Sequence, residues 1–322
     1  MELLRVESLK KYFGEQKMFG ARKAAAKAVD GIDLSIHEDK VMALVGESGC
    51  GKSTVARLVL NLIKPTAGTV LFRGRNIFGF HRTEMKVFRK SVQIIFQDPF
   101  ASLNPRRTIY DTISEPLIIH NLVSRNRMRE AVVDILGRVG LAADILPRYP
   151  HEFSGGQRQR ICIARALAVS PQLIVADEPL SALDVSIQAQ ILNLLQGLKE
   201  KTKISFLFIS HDLRVVKYFS DTVGVMYLGK IVEYAKTDEL FEKPLHPYTE
   251  VLLASVPEIR VGEEGAPRRA VLKGDVPGPI NIPAGCPFHP RCPKRFGPCD
   301  KTVPSLSGQK GRLVSCHLWN PY

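Results

Sequence analysis

No stretch of about 18 or more uncharged apolar residues occurs in the chain, so no segment reads as a bilayer-spanning helix. The first residues, MELLRVESLKKYF, lack a basic region followed by an apolar one, the pattern of a secretory leader. These absences lead to the expectation of a cytoplasmic protein. Internal repeats and sustained heptads are also missing, which argues against solenoids and long coiled coils. Cysteine is scarce, with six in 322 residues, and thiols in the cytoplasm stay reduced. Yet four of those six, Cys286, Cys292, Cys299 and Cys316, sit in one proline-rich tail, GCPFHPRCPKRFGPCDKTVPSLSGQKGRLVSC. Such clustering in a reducing compartment suggests metal more than disulfides.

What is present is ordinary for a globular protein: 45% hydrophobic and 24% charged residues, in a length fitting one large domain or two unequal ones. The net charge of +13 suits nucleic acid, anionic head groups, phosphorylated ligands or simply a solvated basic surface, and does not choose among them.

The first strong motif is VMALVGESGCGKSTVARLVLNLI. An apolar strand leads into Gly46, Glu47, Ser48, Gly49, Cys50, Gly51, Lys52 and Ser53, matching G-x-x-x-x-G-K-[ST], and an apolar helix pattern follows from Thr54. Glycines let the backbone curl around phosphates with its N–H groups inward, and the helix N-terminus favours anions. Lys52 would reach the β- and γ-phosphates of a nucleotide, and the Ser53 hydroxyl would ligate Mg²⁺.

A second motif, PQLIVADEPLSALD, is a continuous apolar run ending in Asp177 and Glu178, two carboxylates at the carboxyl end of a buried strand. Asp177 is a candidate Mg²⁺ holder, and Glu178 a candidate base for water attacking a γ-phosphate. Three further segments complete the set. HEFSGGQRQRICIARALAVS opens a helix pattern with Ser154, Gly155, Gly156 and Gln157, a second anion-binding helix start with no phosphate of its own to hold. SVQIIFQDP ends a strand at Gln97, and KISFLFISHD ends one at His211.

With these motifs the chain resembles the nucleotide-binding subunit of an ABC transporter over essentially residues 1–235. The resemblance implies an α/β fold: a P-loop NTPase core of RecA type with ABC-type antiparallel β and helical subdomains, plus a small cysteine-rich C-terminal extension. It implies that residues 46–54, Gly46 to Thr54, form the Walker A loop binding ATP and Mg²⁺, and that Asp177 ends the Walker B strand. It further implies Glu178 as catalytic glutamate, Gln97 as Q-loop glutamine touching the metal, and His211 as the switch histidine. Tyr12 takes the place of the aromatic that stacks on adenine, although a strand aromatic packed in the core would read the same. Ser154, Gly155, Gly156 and Gln157 resemble the ABC signature, and Asp184 the D-loop; both act on the nucleotide of the opposite subunit. The signature usually opens with leucine and here has Phe153, an apolar swap. A sister ATPase subunit, identical or not, is therefore implied.

The expected domains are a nucleotide-binding domain over 1–240, with a helical subdomain at about 98–170, and an extension over 241–322, where proline, glycine and charge increase. HPYTEVLLASVP together with CPFHPRC resembles the C-terminal region of oligopeptide/dipeptide importer ATPases. That implies import of di- or oligopeptides, two transmembrane permease subunits, an extracytoplasmic binding protein, and a peripheral position on the cytoplasmic side of the membrane. Nickel, glutathione and sugars are cargo of relatives. A soluble nucleic-acid ABC ATPase is the competing class, disfavoured by the short interval between the Walker motifs and by the single cassette; no nucleic-acid partner is expected. The cysteines follow C-x5-C-x6-C-x16-C, looser than usual zinc knuckles, and the resemblance implies a [4Fe–4S] cluster. Zn²⁺ and metal-free thiols or disulfides stay open.

Overall fold

The structure is a computed structural model that describes residues 1–14, 17–18, 21–22, 25–255, 277–309 and 311–319. In the basic, alanine-rich stretch 14–27, which reads from sequence as a solvated loop, residues 15, 16, 19, 20, 23 and 24 lie outside the described residues, as does all of the stretch 262–269, which reads as a flexible link. The chain divides into two compact units: Met1–Leu4, Ile36–Val41 and Phe72–Ile209 form the first, and Arg5–Ser35, Met42–Leu71 and Ser210–Tyr322 the second. The tail thus falls in the same unit as the Gly46–Lys52 loop rather than standing alone.

In the first unit, Leu173–Asp177 lies between Val92–Ile95 and Ser205–Ile209, all parallel. The sequences LIVAD and SFLFI are buried at every position, as strands covered on both faces require. The register sets Asp177 beside Ile209, so the acidic pair begins where the strand ends. Between Ile95 and Leu173 the chain is helical: Ile109–Ile119, Met128–Arg138 and Gly155–Leu167 pack on one another, and Ile113, Leu117, Val132, Ile135 and Ile161 on them are buried. Thr108 caps the first of these with a reciprocal Asp111 bond, a sequence-local device that fixes its start.

In the second unit, Val41–Val45 pairs parallel with Thr222–Tyr227 from Met42 on, and Thr222–Tyr227 pairs antiparallel with Lys230–Lys236. A bulge interrupts that hairpin between Val225 and Met226. The tail extends the same sheet: Arg312–Val314 pairs with Glu233 and Tyr234, and Ser307–Gln309 folds back on Arg312–Val314. Ala26–His37, Glu2–Phe13 and Ala67–Phe72 lie side by side in a further sheet, mostly within this unit. Among the described residues no helix is long and apolar enough to cross a membrane.

Candidate functional site

The phosphate-type loop is built around two positions that only glycine can fill. Gly46 has φ 151°, and a Cβ there would stand 2.2 Å from the Met226 carbonyl oxygen, on the bulged edge of the neighbouring strand. Gly51 has φ 112°, and its Cβ would meet the Ala28 carbonyl at 2.0 Å. Both values lie in the region that L side chains avoid. The helix Lys52–Val59 starts at Gly51 and buries Val55, Ala56, Leu58 and Val59, which anchors the loop to the core. Lys52 is 4% exposed, and its Nζ donates to the Gly46 carbonyl at 2.8 Å and the Glu47 carbonyl at 3.0 Å. Burial pushes the Cys50 thiol up, against the opposing pull of the Lys52 ammonium.

The loop has a second support that its own sequence does not announce. The Glu47 N–H donates to the Tyr248 hydroxyl at 2.9 Å, and the Glu47 carboxylate takes both terminal nitrogens of Arg291 at 2.7 and 3.0 Å. Tyr248 sits in the helix Pro247–Ala254, which begins with His246 as cap and Pro247 at its first position. His246 Nδ1 accepts from the Tyr248 N–H, and burial pulls the imidazole down to about 3. The buried Glu233 carboxylate accepts the N–H groups of Leu245 and His246, each at 2.9 Å, and so fixes the entry to this helix.

Tyr12, the expected adenine platform, donates its hydroxyl to Asp30 Oδ1, and the Lys27 ammonium lies 5.8 Å from the ring centroid. Lys230 bridges Asp30 at 3.1 Å. Burial opposes ionisation of Asp30, but the Tyr12 hydroxyl and the Lys230 ammonium outweigh it and hold the carboxyl below its usual range. His211 is exposed; beside it Ser210 accepts from the Asp212 N–H, and Asp212 caps the helix Leu213–Phe219.

The first unit carries the acidic half. Gln97 Nε2 donates to Glu178 Oε2 at 3.1 Å, joining two residues 81 apart in sequence. Glu178 has φ +48°, an unfavourable backbone state for a side chain of this kind, and its N–H is tied to the Ile209 carbonyl at 3.0 Å. Both the N–H and the hydroxyl of Ser181 donate to the Glu178 carbonyl. Asp177 is 9% exposed at the strand end. Ser154 and Gln157 form a reciprocal capping box at the start of Gly155–Leu167. Gly156 stands where a Cβ would meet Ile187 Cγ2 at 2.6 Å, so the signature-like turn and the helix Val185–Thr202, which starts just after Asp184, adjoin. Ser154, Gly155 and Asp184 are exposed.

In the tail, Cys286, Cys299 and Cys316 are buried, Cys292 is half-buried, and all are free thiols. Burial pushes Cys286 up to about 11, with Cys316, Cys299 and Cys292 adding to the shift; Cys292 and Cys316 are raised for the same reasons. The four therefore lie within electrostatic reach of one another. Among the described residues, however, no three His, Cys, Asp or Glu side chains are arranged to hold a metal ion. Sequence reasoning missed Arg291, Tyr248, Asp30 and Lys27 as neighbours of functional residues. Nothing in local spacing could reveal Arg291, which meets Glu47 across 244 residues.

The ABC transporter family model matches residues 29–181, and the model of the oligopeptide/dipeptide transporter C-terminal region matches 232–299. The oligopeptide transport ATP-binding protein AppF of Bacillus subtilis is 49% identical, over 99% of this chain and 98% of its own. The chain belongs to the ATP-binding proteins of oligopeptide/dipeptide ABC transporters. The Escherichia coli oligopeptide transport ATP-binding protein OppF is likewise 49% identical to this ATPase, over 99% and 97% of the two chains. Among solved structures, cbiO1 of Clostridium perfringens superposes with a TM-score of 0.65 at 28% identity, covering 75% of this chain and 91% of its own. The ATP-binding cassette MJ0796, solved as a dimer in a post-hydrolysis state with ADP and Pi, gives 0.65 at 26% identity, over 73% and 99%. The α/β ABC-type fold expected from the motifs is the fold found.

Proposed function

We propose that this ATPase works as one of two nucleotide-binding subunits, alike or different, that drive two transmembrane permease subunits from the cytoplasmic face of a membrane. Its cargo is di- or oligopeptides, delivered by an extracytoplasmic binding protein. The relatives are named for oligopeptide and dipeptide transport, and the match at 232–299 to the C-terminal region of such transporters supports the same cargo here.

The observation that carries the reading is the loop held open at Gly46 and Gly51, with Lys52 at the start of its helix. In it the N–H groups of Ser48, Gly49, Cys50, Gly51, Lys52, Ser53 and Thr54 surround the phosphates, and the Lys52 ammonium exchanges its loop carbonyls for β- and γ-phosphate oxygens. Ser53, Gln97 and Asp177 are the residues that would hold Mg²⁺, which would supply neutralisation of charge on the phosphates when bound. Glu178, oriented by Gln97, accepts a proton from the attacking water as its oxygen bonds to the γ-phosphorus. The bond to the β-γ bridging oxygen breaks, leaving ADP and phosphate, and His211 hydrogen-bonds the γ-phosphate. Tyr12 stacks on adenine. Ser154, Gly155, Gly156, Gln157 and Asp184, all but Gly156 exposed, close on the nucleotide of the opposite subunit, so ATP joins the two and hydrolysis parts them. Reconstituted with its permeases, the ATPase gains activity from peptide-loaded binding protein and none from RNA or DNA; the reverse result sinks the assignment.

For Cys286, Cys292, Cys299 and Cys316 the proposal is a [4Fe–4S] cluster of structural or regulatory purpose. Burial, and after it the neighbouring thiols, raise Cys286, Cys292 and Cys316, which gives these free thiols a common interest in a cation, and an all-thiolate donor set suits iron–sulfur or Zn²⁺. Iron and acid-labile sulfide in the anaerobically purified protein decide between them; zinc without sulfide replaces the cluster by a structural clip.

A further inference from the structure

The Arg291–Glu47 pair is out of keeping with an appended tail. Arg291 is 7% exposed and Glu47 22%, and the contact is bidentate, the geometry in which a guanidinium fixes a carboxylate's direction as well as its charge. Arg291 adjoins Cys292, and Phe288 of the same short turn packs edge-on against Tyr227 at 5.3 Å and tilted against Tyr248 at 5.3 Å. The tail therefore touches the loop twice, through a side chain of its own and through the tyrosine it packs on. Glu47 occupies a position where the phosphate-loop pattern allows any residue, so the carboxylate is not required by ATP.

We propose that Arg291 and Tyr248 are positioning residues for the phosphate loop, so that the affinity of this ATPase for ATP depends on the seating of its cysteine-bearing tail. The two hold Glu47 by its carboxylate and its N–H, one residue into a loop whose remaining N–H groups must converge on phosphates. Without them Glu47 is free to turn, and the loop must be ordered by the nucleotide at the expense of binding energy. Reciprocity follows: if the tail favours ATP, ATP favours the seated tail.

The test uses the full-length chain with Mg-ATP, through binding titrations and the ATP dependence of hydrolysis. Arg291→Met and Glu47→Gln each raise Kd and KM roughly tenfold, a usual size for coupling between sites. kcat changes by less than about twofold, because the hydrolytic groups are untouched. Arg291→Lys recovers part of the loss, and the double variant is no worse than the poorer single one. ATP slows amide exchange in the 286–299 segment of the parent but not of Glu47→Gln. Parental KM in Glu47→Gln, an additive double variant, or equal ATP protection in both chains each overturns the proposal. Since Glu47 is a partly exposed loop residue, its variant decides the matter even where Arg291→Met fails to fold. A parent that binds no ATP would instead overturn the nucleotide reading on which the proposal rests.

Discussion

Glu178 combines two facts that rarely meet in one residue: a left-handed backbone and a hydrogen bond to Gln97. Strain of this kind costs on the order of 1–3 kcal/mol and persists where the surroundings over-determine it, here the Ile209 carbonyl and Ser181. Glu178→Gln keeps the shape and removes the proposed base. Turnover falls by roughly 10²–10⁴-fold, while ATP stays bound and holds two subunits together. Single-turnover hydrolysis alongside gel filtration with ATP checks both halves. His246 offers a test by pH. Its folded pKa of about 3 lies below the unfolded value near 6.5, so below 6.5 the unfolded chain binds the extra proton and the folded one does not. Stability drops as pH falls, by roughly 2 kcal/mol between pH 6.5 and 5 from this residue alone. Melting curves of His246→Asn, which keeps an N-cap residue, show a smaller drop over that interval than the parent. An unchanged drop rejects the assignment to His246.

At the scale of elements, the signature-like turn is made by a capping box whose parts lie three residues apart, Ser154 and Gln157. Ser154→Ala removes the acceptor for the Gln157 N–H and costs about 1 kcal/mol of stability. If the same hydroxyl also reaches the opposite subunit's ATP, hydrolysis falls much further than the melting temperature suggests; comparing the two measurements separates cap from contact. Elements of this sort were legible because their information is local. LVGESGCGKS reads as strand, loop and helix start, and LIVAD and SFLFI read as strands buried on both faces. The helices between residues 98 and 170 were legible through their apolar spacing. The three-residue strand Arg312–Val314 was not, since Arg-Leu-Val in a proline-rich tail carries no alternation; its pairing comes from Glu233 and Tyr234, far upstream. Likewise nothing in the sequence sets Arg291 apart from the other basic residues of the tail, and only the fold brings it against Glu47. The cysteines were legible as a group from composition, because counting needs no geometry.

For the whole molecule, the surplus of 45 basic over 32 acidic residues remains compatible with several partners, and charge did not choose among them. Family membership does: the ATPase belongs to an oligopeptide ABC transporter complex, and in the proposed function a single cassette with exposed Ser154 and Asp184 is half of a working pair. The expected behaviour is cooperative: ATP hydrolysis rises more steeply than first order in subunit concentration at low concentration, and mixing with a Ser154→Arg variant poisons the parent. Rates strictly proportional to concentration, with no poisoning, point to an independent monomer.

The strand Arg312–Val314 also has a consequence for biogenesis. A ribosome releases the chain from its N-terminal end, so Lys230–Lys236 emerges with its outer edge unpaired until some eighty further residues have been added. For that interval the nascent protein carries a bare sheet margin, the kind of surface that recruits stray strands. Arg291 reaches Glu47 just as late. The loop at Glu47 is thus synthesised 244 residues ahead of the side chain that braces it, and over that interval its shape rests on Gly46, Gly51 and the helix behind them alone.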